Sequence, residues 1–299
     1  MRSHTGLDSM ARNQMRSIGS LWRKWDLHIH TPASFVWQGP KANMRDQVQS
    51  SPICKLIFDQ IEKLDVDAFS IMDYWTFDGF YALRDYLQRN TSVTQKRVFP
   101  GIELRLEAPT DYRLNTHVIF DDSVSNDNLA HFLSRLSIGG LDEKPPSREN
   151  FIELGRSYDG GKLRVHGFSL DDRANDERMY EVGVKTAVVT RKSLQAAIDL
   201  VGGDKCLIVQ PYDTSDGLEP LDWKRHPFTD SALMKWADIF ETRDPLHVGL
   251  FLGYGHPRKP QVGEEFIHNL GGFPKPVVSG TMHTKFPTTE CFQVIKLLG

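Results

Sequence analysis

Residues 24–32 read Lys-Trp-Asp-Leu-His-Ile-His-Thr-Pro, and the fold turns on how this stretch is taken. In an extended strand, side chains two apart point the same way and stand ~7 Å apart. Asp26, His28 and His30 then share one face, while Leu27 and Ile29 pack on the other. Two imidazoles at that spacing can converge on one metal ion, and an acidic neighbour can orient them or add charge.

Runs of the same kind recur along the chain. After Lys24–His30 come Ala68–Tyr74, Val98–Arg105, Thr116–Phe120, Cys206–Tyr212, Ala237–Thr242 and Pro276–His283, each strand-length and rich in Val, Ile, Phe or Leu. Helical patterns lie between several of them: Ile53–Leu64, Asp78–Leu87, Ser193–Val201 and Asp230–Trp236. Strands alternating with helices predict an α/β fold with a parallel sheet, whose strand carboxyl ends meet at one rim. Those ends carry His28 and His30, Asp73 and Tyr74, Glu103 and Arg105, Gln210, Tyr212 and Asp213, Glu241 and Arg243, and His283. His117 comes early in its run and reaches the rim only if that strand is short.

The repeat is interrupted at about 121–191. This stretch holds helical patterns at Asn128–Leu136 and Glu149–Tyr158, a polar stretch at Leu170–Arg178 read as a solvated loop, and a short strand at Thr186–Thr190. It is read as an insertion on the site face, without a separate fold. Residues 1–20 are read as a flexible leader and 21–299 as a single domain. The leader carries three arginines but no apolar core of the kind a secretory signal needs.

Composition narrows the function. The chain has 299 residues, 39% hydrophobic and 25% charged, with a net charge of −3, so no bulk basic field advertises nucleic-acid binding. Cys54, Cys206 and Cys291 form no CxxC pair, which argues against a thiolate zinc site and for a reducing, cytoplasmic setting. No apolar run is long enough to span a membrane. Walker A and GxSxG frames are absent, which excludes a P-loop and a nucleophile elbow. The remaining histidines, His247 among them, have no spacing relation to the cluster and are read as structural or surface residues. Trp75, Phe77 and Phe80 are read as core.

Histidines and carboxylates without cysteine suit Zn²⁺, Mn²⁺ or Fe²⁺. The candidate ligands are His28, His30, Glu103, His117 and His283, for one or two ions, with Glu103 able to bridge two. Asp26 and Asp73 are further candidates for catalytic roles. Arg105, two residues beyond Glu103, is a candidate for bidentate pairing with a phosphate, or else for an ion pair with Glu241 or Asp73.

These residues together give the chain a resemblance to the PHP (polymerase and histidinol phosphatase) superfamily. The motifs are Asp26-Leu-His-Ile-His-Thr, Ile71-Met-Asp-Tyr74, Gly101-Ile-Glu103, His117 and a final His283. The stretches 24–34, 72–80 and 99–106, with Phe132–Leu136 and Leu154–Ser157, resemble more closely the N-terminal module of TrlF-type PHP–ATPase proteins. The resemblance implies a distorted seven-stranded (β/α) barrel, a metal site at its carboxyl rim, and phosphoesterase or nuclease-like chemistry on a phosphate-containing substrate, with nucleic acid one candidate. It also implies an ABC/SMC-like ATPase partner. Several family ligand positions are altered: the second-strand His is Tyr74, the fifth-strand ligand corresponds to Gln210, the final Asp is Thr281, and the His expected after His30 falls on Phe35 or Val36. The alternative reading is therefore a catalytically degenerate barrel that serves as a binding or regulatory module.

Overall fold

The structure is a computed structural model, and it describes residues 25–279 apart from 91–92, 109–113, 142–143, 215, 220–226, 256 and 258–262. The first half runs β1 (Trp25–Ile29), α1 (Gln47–Ile61), β2 (Ala68–Ile71), α2 (Asp78–Arg89), β3 (Arg97–Leu106) and β4 (Leu114–Phe120). The inserted helices follow: α3 (Asn126–Arg135), α4 (Arg148–Ser157), α5 (Gly160–Val165), a 3₁₀ turn (Leu170–Ala174), α6 (Asp176–Thr186) and α7 (Arg191–Val201). The chain then runs through β5 (Cys206–Pro211), α8 (Pro227–Trp236), β6 (Ile239–Thr242), α9 (Val248–Phe251), α10 (Gly263–Asn269) and β7 (Val277–Ser279).

The seven strands pair in chain order. β1, β2 and β3 are parallel, and so are β5, β6 and β7, but β4 is antiparallel to both of its neighbours. The sheet is therefore mixed, not all parallel as the alternation predicted. The reason is length: a parallel crossover needs a dozen or more residues, and only 107–113 separate β3 from β4, enough for a hairpin.

One apolar layer lines the inner face of the sheet. Leu27, Ala68, Phe99, Ile119, Val209 and Val278 are buried together, with Ile239 packed against them, so all seven strands feed one interior cluster. The sheet curls, because in a flat one five strand intervals at ~4.8 Å would hold β1 and β6 ~24 Å apart, yet His28 Nδ1 of β1 lies 3.8 Å from Glu241 Oε2 of β6. The result is a half-barrel, and among the described residues no pairing joins β7 to β1. On the other sheet face, Phe69, Ile71, Ile102, Leu104, Val118 and Phe240 pack in a larger core with Ile57 and Phe58 of α1, Phe80 and Leu83 of α2, and Ile198 of α7.

The β1 alternation is not the simple one the sequence suggests. Leu27 belongs to the interior cluster and Ile29 to the outer core, and the register with β2 shifts between Asp26 and Ile29. Helix starts are set by caps that periodicity cannot see. Asp46 accepts from Val48 N at 2.9 Å and Gln49 N at 3.3 Å, which starts α1 at Gln47, not at Ile53. Ser125, Ser147, Asn175 and Thr190 cap α3, α4, α6 and α7 in the same way.

The insertion is more helical than expected. Leu170–Ala174 forms a 3₁₀ turn and α6 begins at Asp176, so the predicted solvated loop is largely structured. The expected strand at Thr186–Thr190 reduces to isolated bridges from Val189 to Leu106 and Ile138. Helices α4 and α6 touch backbone to backbone. A Cβ on Gly155 would strike the Met179 carbonyl, and one on Gly183 would strike that of Phe151. Gly to Ala inside a helix ordinarily gains about 1 kcal/mol. Here the sign should reverse, with Gly183→Ala losing about 1–3 kcal/mol in chemical denaturation by overpacking. A stabilised Gly183→Ala would contradict this close crossing.

Candidate metal centre

The curl brings together side chains that lie far apart in sequence. His28 and His30 come from the end of β1 and its next residue, Glu103 from the middle of β3, His117 from β4 and Glu241 from β6. His117 is paired directly opposite Glu103 across the β3–β4 ladder. It reaches the site because β4 runs backwards, and the short strand invoked from sequence is not needed. All five residues are buried, and His30 and Glu103 are 0% exposed.

His28 Nε2 and His30 Nε2 lie 3.2 Å apart, and Glu103 Oε2 lies 3.3 Å from the first and 3.4 Å from the second. Ligands of a tetrahedral ion with bonds of about 2.0–2.1 Å stand about 3.3–3.4 Å from one another. The three atoms thus have the mutual spacing of three corners of such a site. A second group uses the other side of the rings: Glu241 Oε2 is 3.2 Å from His117 Nδ1 and 3.8 Å from His28 Nδ1. A carboxylate behind the far nitrogen of a ligating imidazole fixes its tautomer and raises its basicity. Glu241 is placed to do this for His117, and at 3.8 Å it adds negative charge beside His28 Nδ1 without a hydrogen bond to it. His117 Nε2 lies 3.4 Å from Glu103 Oε1, without hydrogen-bond alignment.

Glu103 is held from its other side. Its Oε1 accepts from the Tyr74 hydroxyl at 2.6 Å and from Asn115 Nδ2 at 2.6 Å. Tyr74 follows β2 and stacks on the His30 ring at 5.9 Å. The next residue, Trp75, has φ of 65°, a left-handed backbone that is strained for a bulky side chain. Its indole N–H donates to the Val184 carbonyl at 3.0 Å and its ring packs on Phe151, so the insertion holds the strained turn that aims Tyr74.

Titration behaviour follows from this crowding. Burial alone would depress the His28 imidazolium, but Glu103 and then Glu241 outweigh burial and raise it to about 10. His117 is also raised, by the same carboxylates, against burial and the charge of His28. Burial opposes ionisation of Glu103 and Glu241, yet the neighbouring imidazoles hold both below the carboxylate range. Tyr74 is pushed up, first by burial and then by the Glu103 charge.

Other sequence candidates are placed differently. Asp26 Oδ1 accepts from the His28 backbone N–H at 3.3 Å, and among the described residues its carboxylate is outside the converging sets. Asp73 accepts from Thr31 N at 2.7 Å and Thr31 Oγ1 at 2.6 Å, clamping the turn after β1, and burial raises it to about 7 despite those bonds. Gly79 permits that clamp, since a Cβ there would strike both Asp73 and Thr31. Arg105 donates to the Lys185 carbonyl at the end of α6, and its guanidinium lies 5.1 Å from the Phe35 and Tyr74 ring centres. Neither expected ion pair of Arg105, with Glu241 or with Asp73, forms among the described residues. Gln210 donates to the Asn115 carbonyl at 2.6 Å and is not in the ligand cluster. His283 and Thr281 lie outside the described residues. His247 is bound to Asp213 at 3.1 Å beside Thr242, in keeping with a structural histidine.

Sequence reasoning missed Glu241 as a member of the centre, although it recognised that strand end. The alternation of β6, with Ile239 inward and Phe240 outward, was the available signal. Asn115 carried no signal at all.

No family model and no curated protein matches the chain. Solved structures similar to it include an amidohydrolase from Chromobacterium violaceum with sulfate bound and no metal, at 13% identity and TM-score 0.48 over 92% of each chain. Another is described as a metal-dependent phosphoesterase from Bifidobacterium adolescentis, at 14% identity and TM-score 0.42, over 91% of this chain and 92% of that one.

The His28 environment has a measurable consequence. Its folded value lies above the ordinary 6.5, so its protonated ring adds stability below pH 6.5, and that contribution is lost as pH rises through about 10. Chelator-treated protein should therefore lose denaturation midpoint across that window, and His28→Asn should lose less. Parallel pH profiles for the two proteins would contradict the assignment.

Proposed function

We propose that this chain is a metal-dependent hydrolase of the PHP type that cleaves phosphate esters, with a nucleotide or nucleic acid as the favoured substrate class. The observation that supports it is the mutual spacing of 3.2–3.4 Å among His28 Nε2, His30 Nε2 and Glu103 Oε2. A divalent ion held by such a set lowers the pKa of bound water towards neutrality and polarises a phosphoryl oxygen. The protein's own part is positional. Glu241 orients His117 and sets its charge beside His28, Tyr74 and Asn115 fix Glu103, and Asp73 fixes the turn through Thr31. Zn²⁺, Mn²⁺ and Fe²⁺ all suit the donor set.

The same proposal carries the finer points. His283 is a further ligand, the half-barrel belongs to a full seven-stranded barrel, and a TrlF-like ATPase works with the chain; the motif resemblance supports each. A cytoplasmic setting is favoured by Cys54 and Cys206, both free and buried. Among the described residues, no helix is long and apolar enough to cross a membrane. The second reading is a catalytically silent barrel whose ion only ties strands together. The full burial of His30 and Glu103 and the engagement of Arg105 by α6 favour it.

Hydrolysis of bis(p-nitrophenyl) phosphate by protein purified without chelator separates the two. The proposal expects Mn²⁺- or Zn²⁺-dependent turnover that His28→Ala with His30→Ala abolishes. Glu241→Gln should weaken metal affinity about 10–100-fold. Bound metal without turnover on any phosphodiester would favour the silent barrel.

A further inference from the structure

We infer that the centre takes a single ion, because the side-chain amide of Asn115 stands where a second cation would otherwise sit. The inference rests on the metal reading above and adds a count and a cause. Asn115 Nδ2 lies 2.6 Å from Glu103 Oε1, 2.7 Å from Asp216 Oδ2 and 2.8 Å from the Tyr74 hydroxyl oxygen. Three oxygens, two of them from carboxylates, thus surround one nitrogen that has only two hydrogens to give. Such a shell of hard oxygens, with His117 Nε2 3.4 Å from the same Glu103 oxygen, has the donor chemistry of a divalent-cation position.

The amide is oriented by charge. Turned over, its oxygen would face both carboxylates, and the observed orientation leaves Asn115 Oδ1 buried without a partner. It is also immobilised. The Asn115 backbone N–H donates to the Asp216 carbonyl at 2.9 Å, its carbonyl accepts from Gln210 Nε2 at 2.6 Å, and the residue is 2% exposed. Tyr74 supplies the second donor to Glu103 Oε1, so that oxygen is engaged twice by neutral groups and only Oε2 faces His28 and His30. Glu103 therefore ligates through one oxygen and does not bridge two ions.

The His28 ring points the same way. It belongs to both candidate ligand groups, yet a neutral imidazole has one lone pair to give. The His28 Nε2 lies 3.2 Å from His30 Nε2 and 3.3 Å from Glu103 Oε2, whereas its Nδ1 lies 3.8 Å from Glu241 Oε2, so the lone pair goes to the His30–Glu103 side and the group with His117 and Glu241 is left without a ligand from His28.

The test counts ions on the full-length chain dialysed against Mn²⁺, by elemental analysis together with electron paramagnetic resonance. One ion per chain with the six-line spectrum of isolated Mn²⁺ is expected. Asn115→Asp, equal in size but with a carboxylate in place of the amide, should take two ions and show a spin-coupled spectrum. Should that variant fail to fold, Asn115→Ser opens the same position and carries the same expectation. Two ions in the native protein would overturn the inference and leave the metal reading standing, and so would a folded Asn115 variant that still holds one. Zero ions in the native protein would instead overturn the metal reading itself.

Discussion

A carboxylate with no access to water, in the middle of a strand, is the constraint on which this architecture depends. Glu103 is wholly buried, and an isolated buried charge is too costly to tolerate without partners. Every element that reaches it therefore has to supply compensation. β1 brings His28 and His30, β4 brings His117 and Asn115, and the turn after β2 brings Tyr74. The curl of the sheet serves this charge, since only a curled sheet lets His28 of β1 approach both Glu103 of β3 and Glu241 of β6.

The inserted helices have a part in this balance. The carbonyls of Val184 and Lys185, at the end of α6, receive the Trp75 indole and the Arg105 guanidinium. The first holds the strained turn that aims Tyr74; the second keeps a cation stacked on Tyr74 and Phe35 and away from the ligand atoms. The insertion is thus a support for the rim, attached at the two places where the rim would otherwise relax.

Much of this was legible in the sequence. The seven strand-like runs correspond to the seven strands, and four of the candidate ligands fall in the buried cluster, because strand alternation and apolar composition are local properties. What stayed hidden was non-local. The direction of β4, the irregularity in β1 that separates Leu27 from Ile29, and the inward aim of Glu241 all depend on pairing partners. Polar residues such as Asp73 and Gln210 looked like interchangeable strand-end groups, and Asn115 did not stand out at all. Their roles, clamping Thr31, bracing β4 and filling the space beside Glu103, are set by distances that spacing along the chain does not encode.

The most direct measurement is anomalous diffraction from a crystal of the full chain grown with Mn²⁺. The account predicts one peak, within bonding distance of His28 Nε2, His30 Nε2 and Glu103 Oε2, with Tyr74 and Asn115 still on the far oxygen of Glu103. No peak there, with the imidazoles instead paired to Glu103 and Glu241 alone, would contradict it.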